Sequence, residues 1–212
     1  METTSVENIN LLDLYWQGGW YIMIPLTLLL AYAIYLSIER FLAIRNATTG
    51  AESFMEHLEK YVKQKNFDGA SNLCAQADTP YARMIEKGIT KASHNIKDVS
   101  LTLENAGKIE IFELEDKLSA LATISGVAPM IGFLGTTIGM ITTFHQMSVG
   151  GVEIQQLSGG IMQAMVTTVA GLIVGIYAFI AYNTLVAKIA KAVYYLENIS
   201  LEFVEALENP EK

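Results

Sequence analysis

The chain has 212 residues, 51% of them apolar and only 17% charged, with 16 Gly and 4 Pro. Soluble domains carry about 25% charge, so this composition leans toward lipid and excludes disordered and collagen-like classes. A net charge of −8 offers no basic surface to phosphates, and the lone Cys74 excludes an internal disulfide or a thiolate metal cluster, so no nucleic-acid partner is expected.

Residues 1–17 form a short leading segment that contains Glu2, Glu7 and Asp13 and no Lys or Arg. From Gly18 to Ile38, 21 residues carry no formal charge before Glu39-Arg40 closes the run, which is long enough to cross a hydrocarbon core of about 30 Å. A cleaved signal peptide is the alternative for this stretch; the acidic leader and the length of the run favour a first transmembrane helix over 18–38.

Residues 39–117 are the one sizeable polar region and read as helices. Phe54, Leu58, Tyr61 and Val62 recur at helical spacing, and Met84, Ile85, Ile89, Ile96, Leu103, Ile109, Phe112, Leu114 and Leu118 predict a long amphipathic stretch running into the next span. Breaks are expected near Asn66 to Gly69 and at Pro80. The charges of this region read as solvated surface.

Two longer uncharged runs follow: 35 residues from Leu118 to Val152 and 34 from Ile154 to Ala187, with only Glu153 between them. Turn chemistry from Ser148 to Gly160 divides them into a second span over 118–146, a loop over 147–158 and a third span over 159–187. The segment 188–212 carries Ile189, Val193, Leu196, Ile199, Phe203 and Leu207 at helical spacing and is expected to pair with the helices of 39–117. All fourteen Lys and Arg lie between Arg40 and Lys117 or between Lys188 and Lys212. Basic loops stay cytoplasmic, so the N-terminus is predicted outside and the C-terminus inside. The fold class is an all-α integral membrane protein with three transmembrane helices and long cytoplasmic helical extensions, which makes Cys74 a reduced cytosolic thiol.

His57, His94 and His145 have no metal-ligand spacing, and neither a Gly-rich phosphate loop nor a nucleophile elbow occurs. No enzyme activity, cofactor or metal is expected. The polar residues of the second and third spans are the informative ones. Gly132, Thr136, Gly139 and Thr143 recur at i, i+4, i+7 and i+11, and Gly160, Ala164, Thr167, Gly171, Gly175 and Ala178 share one face of the third span, with Gln163 and Thr168 at its margins. Lipid gives helices no hydrophobic reason to associate, so small residues at four-residue spacing, as in Gly135-x-x-x-Gly139 and Gly171-x-x-x-Gly175, permit backbone contact. Each Thr alone reads equally well as packing, its hydroxyl bonded to its own helix. Gln163 needs partners or water, and a shared hydrated interior accounts for all the polar positions together. One chain has too few spans to enclose such an interior, so a ring of copies is required. Neither inner span contains Asp, Glu, Lys or Arg, and His145, near the outer boundary, reads as an interfacial residue, so the group that takes up an ion or proton is expected on another polypeptide.

These residues carry a resemblance. Gly18-Gly19-Trp20, Pro25-Leu26 and Ile38-Glu39-Arg40 frame the first span; Ala128-Pro129, Gly132-Phe133-Leu134-Gly135-Thr136 and Gly139-Met140 mark the second; Gly160-Ile161, Ala164, Thr167-Thr168, Gly171-Leu172 and Tyr182-Asn183 mark the third. Together they resemble the ExbB, TolQ and MotA family of proton-channel motor subunits, closest to ExbB and TolQ, over nearly the whole chain. The resemblance implies a pentamer in the bacterial inner membrane, with 1–17 and 147–158 periplasmic. Its second and third helices would line a pore holding the helices of an ExbD- or TolR-like single-span partner, which bears the membrane Asp. It also implies proton-driven mechanical work on the outer membrane, as in TonB-dependent transport with a TonB-like protein, or TolQ-like envelope maintenance.

Thr136 and Thr168 match the family's pore-lining threonines, and Thr143, Gln163 and Thr167 complete the expected ion path, with Gly132, Gly135, Gly139, Gly171 and Gly175 as helix-packing positions. The chain departs from the family at Gln163, where Glu is usual, and at Tyr177, where Pro is common. A site of hydroxyls and amide carbonyl admits sodium as well as proton. A gliding-type motor and a non-conducting membrane scaffold are the rival readings.

Overall fold

The computed structural model describes residues 15–16, 18–92, 95–150 and 154–208, with side chains of the last stretch from 157 onward. Expectations for 1–14, His94, Glu153 and 209–212 lie outside the described residues. Seven helices are described: α1 (Trp20–Thr48), α2 (Ala51–Lys63), α3 (Phe67–Ala77), α4 (Pro80–Ile89), α5 (Ile96–Glu115), α6 (Leu118–Val149) and α7 (Ile154–Glu208). Three apolar stretches, in α1, α6 and α7, are long enough to cross a membrane.

Local chemistry sets most of the breaks. Gly50, at φ 81, separates α1 from α2. The Asn66 side chain accepts from Gly69 N at 2.9 Å and opens α3, while Thr79 accepts from Ala82 N ahead of Pro80 at the start of α4. Both fall where the sequence predicts a break. Two further breaks interrupt the expected amphipathic stretch from Met84 to Leu118: Asn95 caps α5 by accepting from Lys97 N, and Lys117, at φ 64, separates α5 from α6. Apolar periodicity ran across both because neither contains Pro or Gly. α7 begins at Ile154 and takes in Ser158, Gly159 and Gly160, which the sequence reading places at the turn and the start of the third span.

The described residues fall into two units. One draws on positions up to Leu36 and on Ser119–Tyr182; the other draws on Ser37–Leu118 and positions from Asn183 on. The second unit has a continuous apolar core in which Phe54 and Leu58 of α2, Cys74 of α3, Met84 and Ile85 of α4, Val99 and Leu103 of α5 and Leu196, Ile199 and Phe203 of α7 are all buried. The C-terminal end of α7 thus packs with α2 to α5, as its spacing predicted. Burial pushes the Cys74 thiol up to about 12, with the Glu86 charge adding to the effect.

Two charged groups in this unit are not solvated surface. Glu110 is 3% exposed and holds Arg83 through Nε at 3.1 and 3.2 Å and Nη2 at 2.6 Å. That carboxylate, with Asp78 behind it, raises the Arg83 guanidinium above its usual range. Arg40 is 8% exposed; its Nη1 donates to the Glu113 carbonyl at 2.9 Å and its Nη2 to Glu39 Oε1 at 2.9 Å, and Lys117 Nζ donates to the same oxygen at 2.7 Å. The Glu113 carbonyl belongs to the last turn of α5, where no intrahelical amide remains to meet it, so Arg40 serves as its cap.

Candidate functional site

The first unit contains the two small-residue stripes, and they face each other. α6 and α7 run antiparallel with their glycines in register. A Cβ added at Gly132 would lie 2.7 Å from the Thr167 carbonyl oxygen and 3.1 Å from Gly171 Cα; one at Gly171 would lie 2.6 Å from the Ala128 carbonyl oxygen. One turn outward on α6, Gly135 meets the Thr167 side chain and Gly139 meets Ala164, and Gly160 faces Thr143 at the far end. In the other direction Gly175 lies against the Pro129 ring and the Ser125 carbonyl. Pro129 has no amide to give that carbonyl, so the close approach of Gly175 covers an acceptor that the helix itself leaves open. Backbone therefore touches backbone over several turns, which bulkier residues would forbid. All five predicted packing glycines, Gly132, Gly135, Gly139, Gly171 and Gly175, lie in this seam.

Three threonines gather at its centre around two carbonyls. The Gly132 carbonyl lies 3.3 Å from Thr167 Oγ1 and 3.3 Å from Thr168 Oγ1, and the Ala164 carbonyl lies 2.7 Å from Thr167 Oγ1 and 3.0 Å from Thr136 Oγ1. The hydroxyls of Thr136 and Thr168 are hydrogen-bonded to each other across the two helices. Their surroundings differ. Thr167 is 1% and Thr143 3% exposed, both inside the seam, and Thr143 donates to the Gly139 carbonyl of its own helix at 2.8 Å. Thr136 and Thr168 are half-buried at the seam's edge and reach the surface of the unit.

The pair has two complete hydrogen-bond arrangements. In one, Thr136 donates to Thr168, which donates to the Gly132 carbonyl. In the other, Thr168 donates to Thr136, which donates to the Ala164 carbonyl. Each hydroxyl has one proton and two lone pairs, so in either arrangement an acceptor site is left for a visiting group, and a small rotation of one hydroxyl turns a donor toward it.

Gln163 stands apart. It is half-buried, and its carboxamide nitrogen would lie 2.6 Å from a Cβ on Gly19, beside the start of α1. The structure therefore brings Thr136, Thr167 and Thr168 together, places Thr143 further along the seam, and puts Gln163 elsewhere on α7. Spacing alone merged them because a face broad enough to hold all the polar positions spans two packing surfaces. His145 is exposed, and among the described residues no group of three or more His, Cys, Asp or Glu is placed to hold a metal. The burial of Glu110 beneath Arg83 and the Arg40 cluster were missed, since a charge on an amphipathic helix gives no sign that a neighbouring helix will cover it.

Residues 76–198, more than half of the chain, match the MotA/TolQ/ExbB proton channel family. The chain is 37% identical over 91 residues to "Putative biopolymer transport protein ExbB-like 1" of Synechocystis sp., an alignment covering 41% of this chain and 35% of that protein. It is 28% identical over 169 residues to "Putative biopolymer transport protein ExbB-like 3" of the same organism, covering 78% and 80%. It is 25% identical over 198 residues to "Tol-Pal system protein TolQ" of Haemophilus influenzae, covering 85% and 86%.

Proposed function

The chain belongs to the MotA/TolQ/ExbB proton channel family, and we propose that it is the pore-forming subunit of an inner-membrane motor in which Thr136 and Thr168 solvate a partner's carboxylate as it loses and regains a proton. The observation that carries this reading is the cross-helix hydroxyl pair at the edge of the α6–α7 seam, in spans without an Asp, Glu, Lys or Arg from Leu118 to Val152 and from Ile154 to Ala187.

The energetics require such a pair. A charge at the bilayer centre costs at least about 2.5–3.5 kcal/mol, while one charge crossing 100 mV releases about 2.3 kcal/mol, so an unsolvated carboxylate would stall the cycle. A carboxylate needs a donor, and its protonated form needs an acceptor. Either arrangement of the Thr136–Thr168 pair leaves a lone pair free, and turning the last hydroxyl of the chain away from its carbonyl presents a donor, so the pair can serve both forms without moving either helix. Thr167 supports the site from inside the seam by holding the Gly132 and Ala164 carbonyls in place, and Thr143 packs against Gly160 further along it.

The rest of the reading follows from the family and from charge. An ExbD- or TolR-like single-span protein with a membrane Asp supplies the titrating group. Copies of this chain, five in the family's pattern, close a ring around it, and the motion does work on the outer membrane of the kind named for the ExbB and TolQ relatives. All fourteen Lys and Arg fall at positions of the second unit, which supports a cytoplasmic location for that unit, with the N-terminus and the α6–α7 turn outside. The ion is the proton, the family's ion.

The test is Thr136→Val and Thr168→Val, each nearly isosteric, in the complex with its partner reconstituted in liposomes. Each variant is expected to assemble normally and to lose ion-coupled work by about tenfold or more, in line with loss of charge stabilisation by one or two hydroxyls. Full flux in either variant refutes the assignment. A stable ring that passes no ions with the partner present would show the non-conducting scaffold instead.

A further inference from the structure

We propose that Thr167 is a positioning residue that sets the polarity of the Thr136–Thr168 pair, by occupying one of the two carbonyls at which the pair's hydrogen-bond chain can end. The Gly132 and Ala164 carbonyls each lie inside a helix and accept the amide four residues on, which leaves each of them one lone pair for a hydroxyl. Three hydroxyls compete for these two places. Thr168 Oγ1 lies 3.3 Å from the Gly132 oxygen, Thr136 Oγ1 lies 3.0 Å from the Ala164 oxygen, and Thr167 Oγ1 reaches both, at 3.3 and 2.7 Å. Thr136 also faces the Gly132 oxygen of its own helix, but at 3.4 Å this is the longest of the contacts.

Thr167 is 1% exposed, so its single proton goes to one carbonyl or the other. At 2.7 Å the Ala164 oxygen is the better acceptor, since O–H···O bonds run about 2.5–3.0 Å. With that place taken, Thr136 donates to Thr168 and Thr168 donates to the Gly132 oxygen, which leaves the open acceptor on Thr136. When Thr167 swings to the Gly132 oxygen, the Ala164 place opens, the chain reverses and the open acceptor passes to Thr168. Each carbonyl exchanges one hydroxyl for another, so the reversal leaves neither bare. The swing needs space beside Thr167, and Gly135 provides it: a Cβ there would lie 2.5 Å from Thr167 Oγ1.

The proton arrangement stands on these distances alone; only its consequence for flux rests on the proposed function. The experiment is solid-state NMR of the protein in liposomes, with isotope on the carbonyl of one residue and the nitrogen of the next. Ala164-Met165 and Gly132-Phe133 are the one Ala-Met and the one Gly-Phe pair in the chain, so each carbonyl is read singly. A carbonyl carbon moves upfield when its oxygen loses a hydroxyl. Without the Thr167 hydroxyl the pair should reverse, because Thr136 reaches the Ala164 oxygen at 3.0 Å while Thr168 reaches Gly132 only at 3.3 Å. In Thr167→Ala the Gly132 signal should therefore move upfield and the Ala164 signal stay, while Thr167→Ser keeps both in place. Thr136→Val should leave the Ala164 signal still in the parent and move it in the Thr167→Ala background. An Ala164 signal that moves in Thr167→Ala, or a Gly132 signal that stays, shows a hydroxyl bonded only to its own helix and overturns the proposal.

If Thr167→Ala does not assemble, Thr136→Val alone gives the answer: a still Ala164 signal supports Thr167 as the holder of that carbonyl, and a moving one overturns it. In the complex with its partner, flux should fall about fivefold in Thr167→Ala and return to within about twofold of the parent in Thr167→Ser. Unchanged flux in Thr167→Ala beside a tenfold loss in Thr168→Val overturns the part Thr167 plays in turnover and leaves the channel reading intact. The expected carbonyl pattern with full flux in Thr168→Val does the reverse, keeping the polarity and sinking the channel reading.

Discussion

Replacing Gly171 by Ala tests the seam directly. The added methyl would lie 2.6 Å from the Ala128 carbonyl oxygen and 2.9 Å from Gly132 Cα, both backbone atoms that cannot rotate away. An ordinary C···O contact is about 3.3–3.6 Å, so α6 and α7 must part by roughly 0.7–1 Å at this level. Overpacking of this kind costs about 1–3 kcal/mol, and Ala returns about 1 kcal/mol through its better helix propensity. Separation also stretches the Thr168 to Gly132 carbonyl bond, now 3.3 Å, out of range, a loss of about 1 kcal/mol. The net is a destabilisation of about 2 kcal/mol, or about 4–8 °C in Tm for a chain of this length. The assay is thermal unfolding of the purified protein in detergent, with Gly126→Ala as the internal control, since a Cβ at Gly126 meets nothing within 4 Å. Gly126→Ala should hold Tm steady or raise it slightly. A Gly171→Ala protein as stable as that control would show that the helices are not in backbone contact, and the placement of the hydroxyl pair would fall with it.

The Glu110–Arg83 pair should respond asymmetrically. Arg83→Met strands a buried carboxylate and is expected to cost about 3 kcal/mol, whereas Glu110→Gln leaves a guanidinium that is 39% exposed and still bonded to Asp78, and should cost about 1 kcal/mol by denaturant titration. Cys74, buried and shifted up to about 12, should resist maleimide at pH 8 in the folded protein and label at once in denaturant. The sign of the shift also means that its contribution to stability is complete below pH 9 and fades as pH rises toward 12, so alkaline unfolding should begin later in Cys74→Ala.

Most of the helices could be read from the sequence because their causes are local. Uncharged runs of twenty or more residues have one stable form in a bilayer, and Asn66, Thr79 and Pro80 act on amides two or three residues away. The break at Lys117 was invisible, because a left-handed lysine is held by Glu39, 78 positions distant. The covering of Arg40 and Glu110 was equally invisible. A sequence shows that a side chain is charged, but its desolvation depends on which helix arrives over it.

The same boundary runs through the candidate site. Sequence alone determined that the inner spans carry Gly and Thr at helical spacing and no Asp, Glu, Lys or Arg, which is why the proposed function places the titrating carboxylate on a partner. Only the tertiary structure sorted the polar residues: Thr143 and Thr167 into the seam, Thr136 and Thr168 to its edge as a bonded pair, and Gln163 to the face that meets α1. The reason is geometric. Periodicity specifies an angle around one helix axis, but what lies at that angle is set by how deeply the neighbouring helix approaches, and here the approach is as deep as glycine allows.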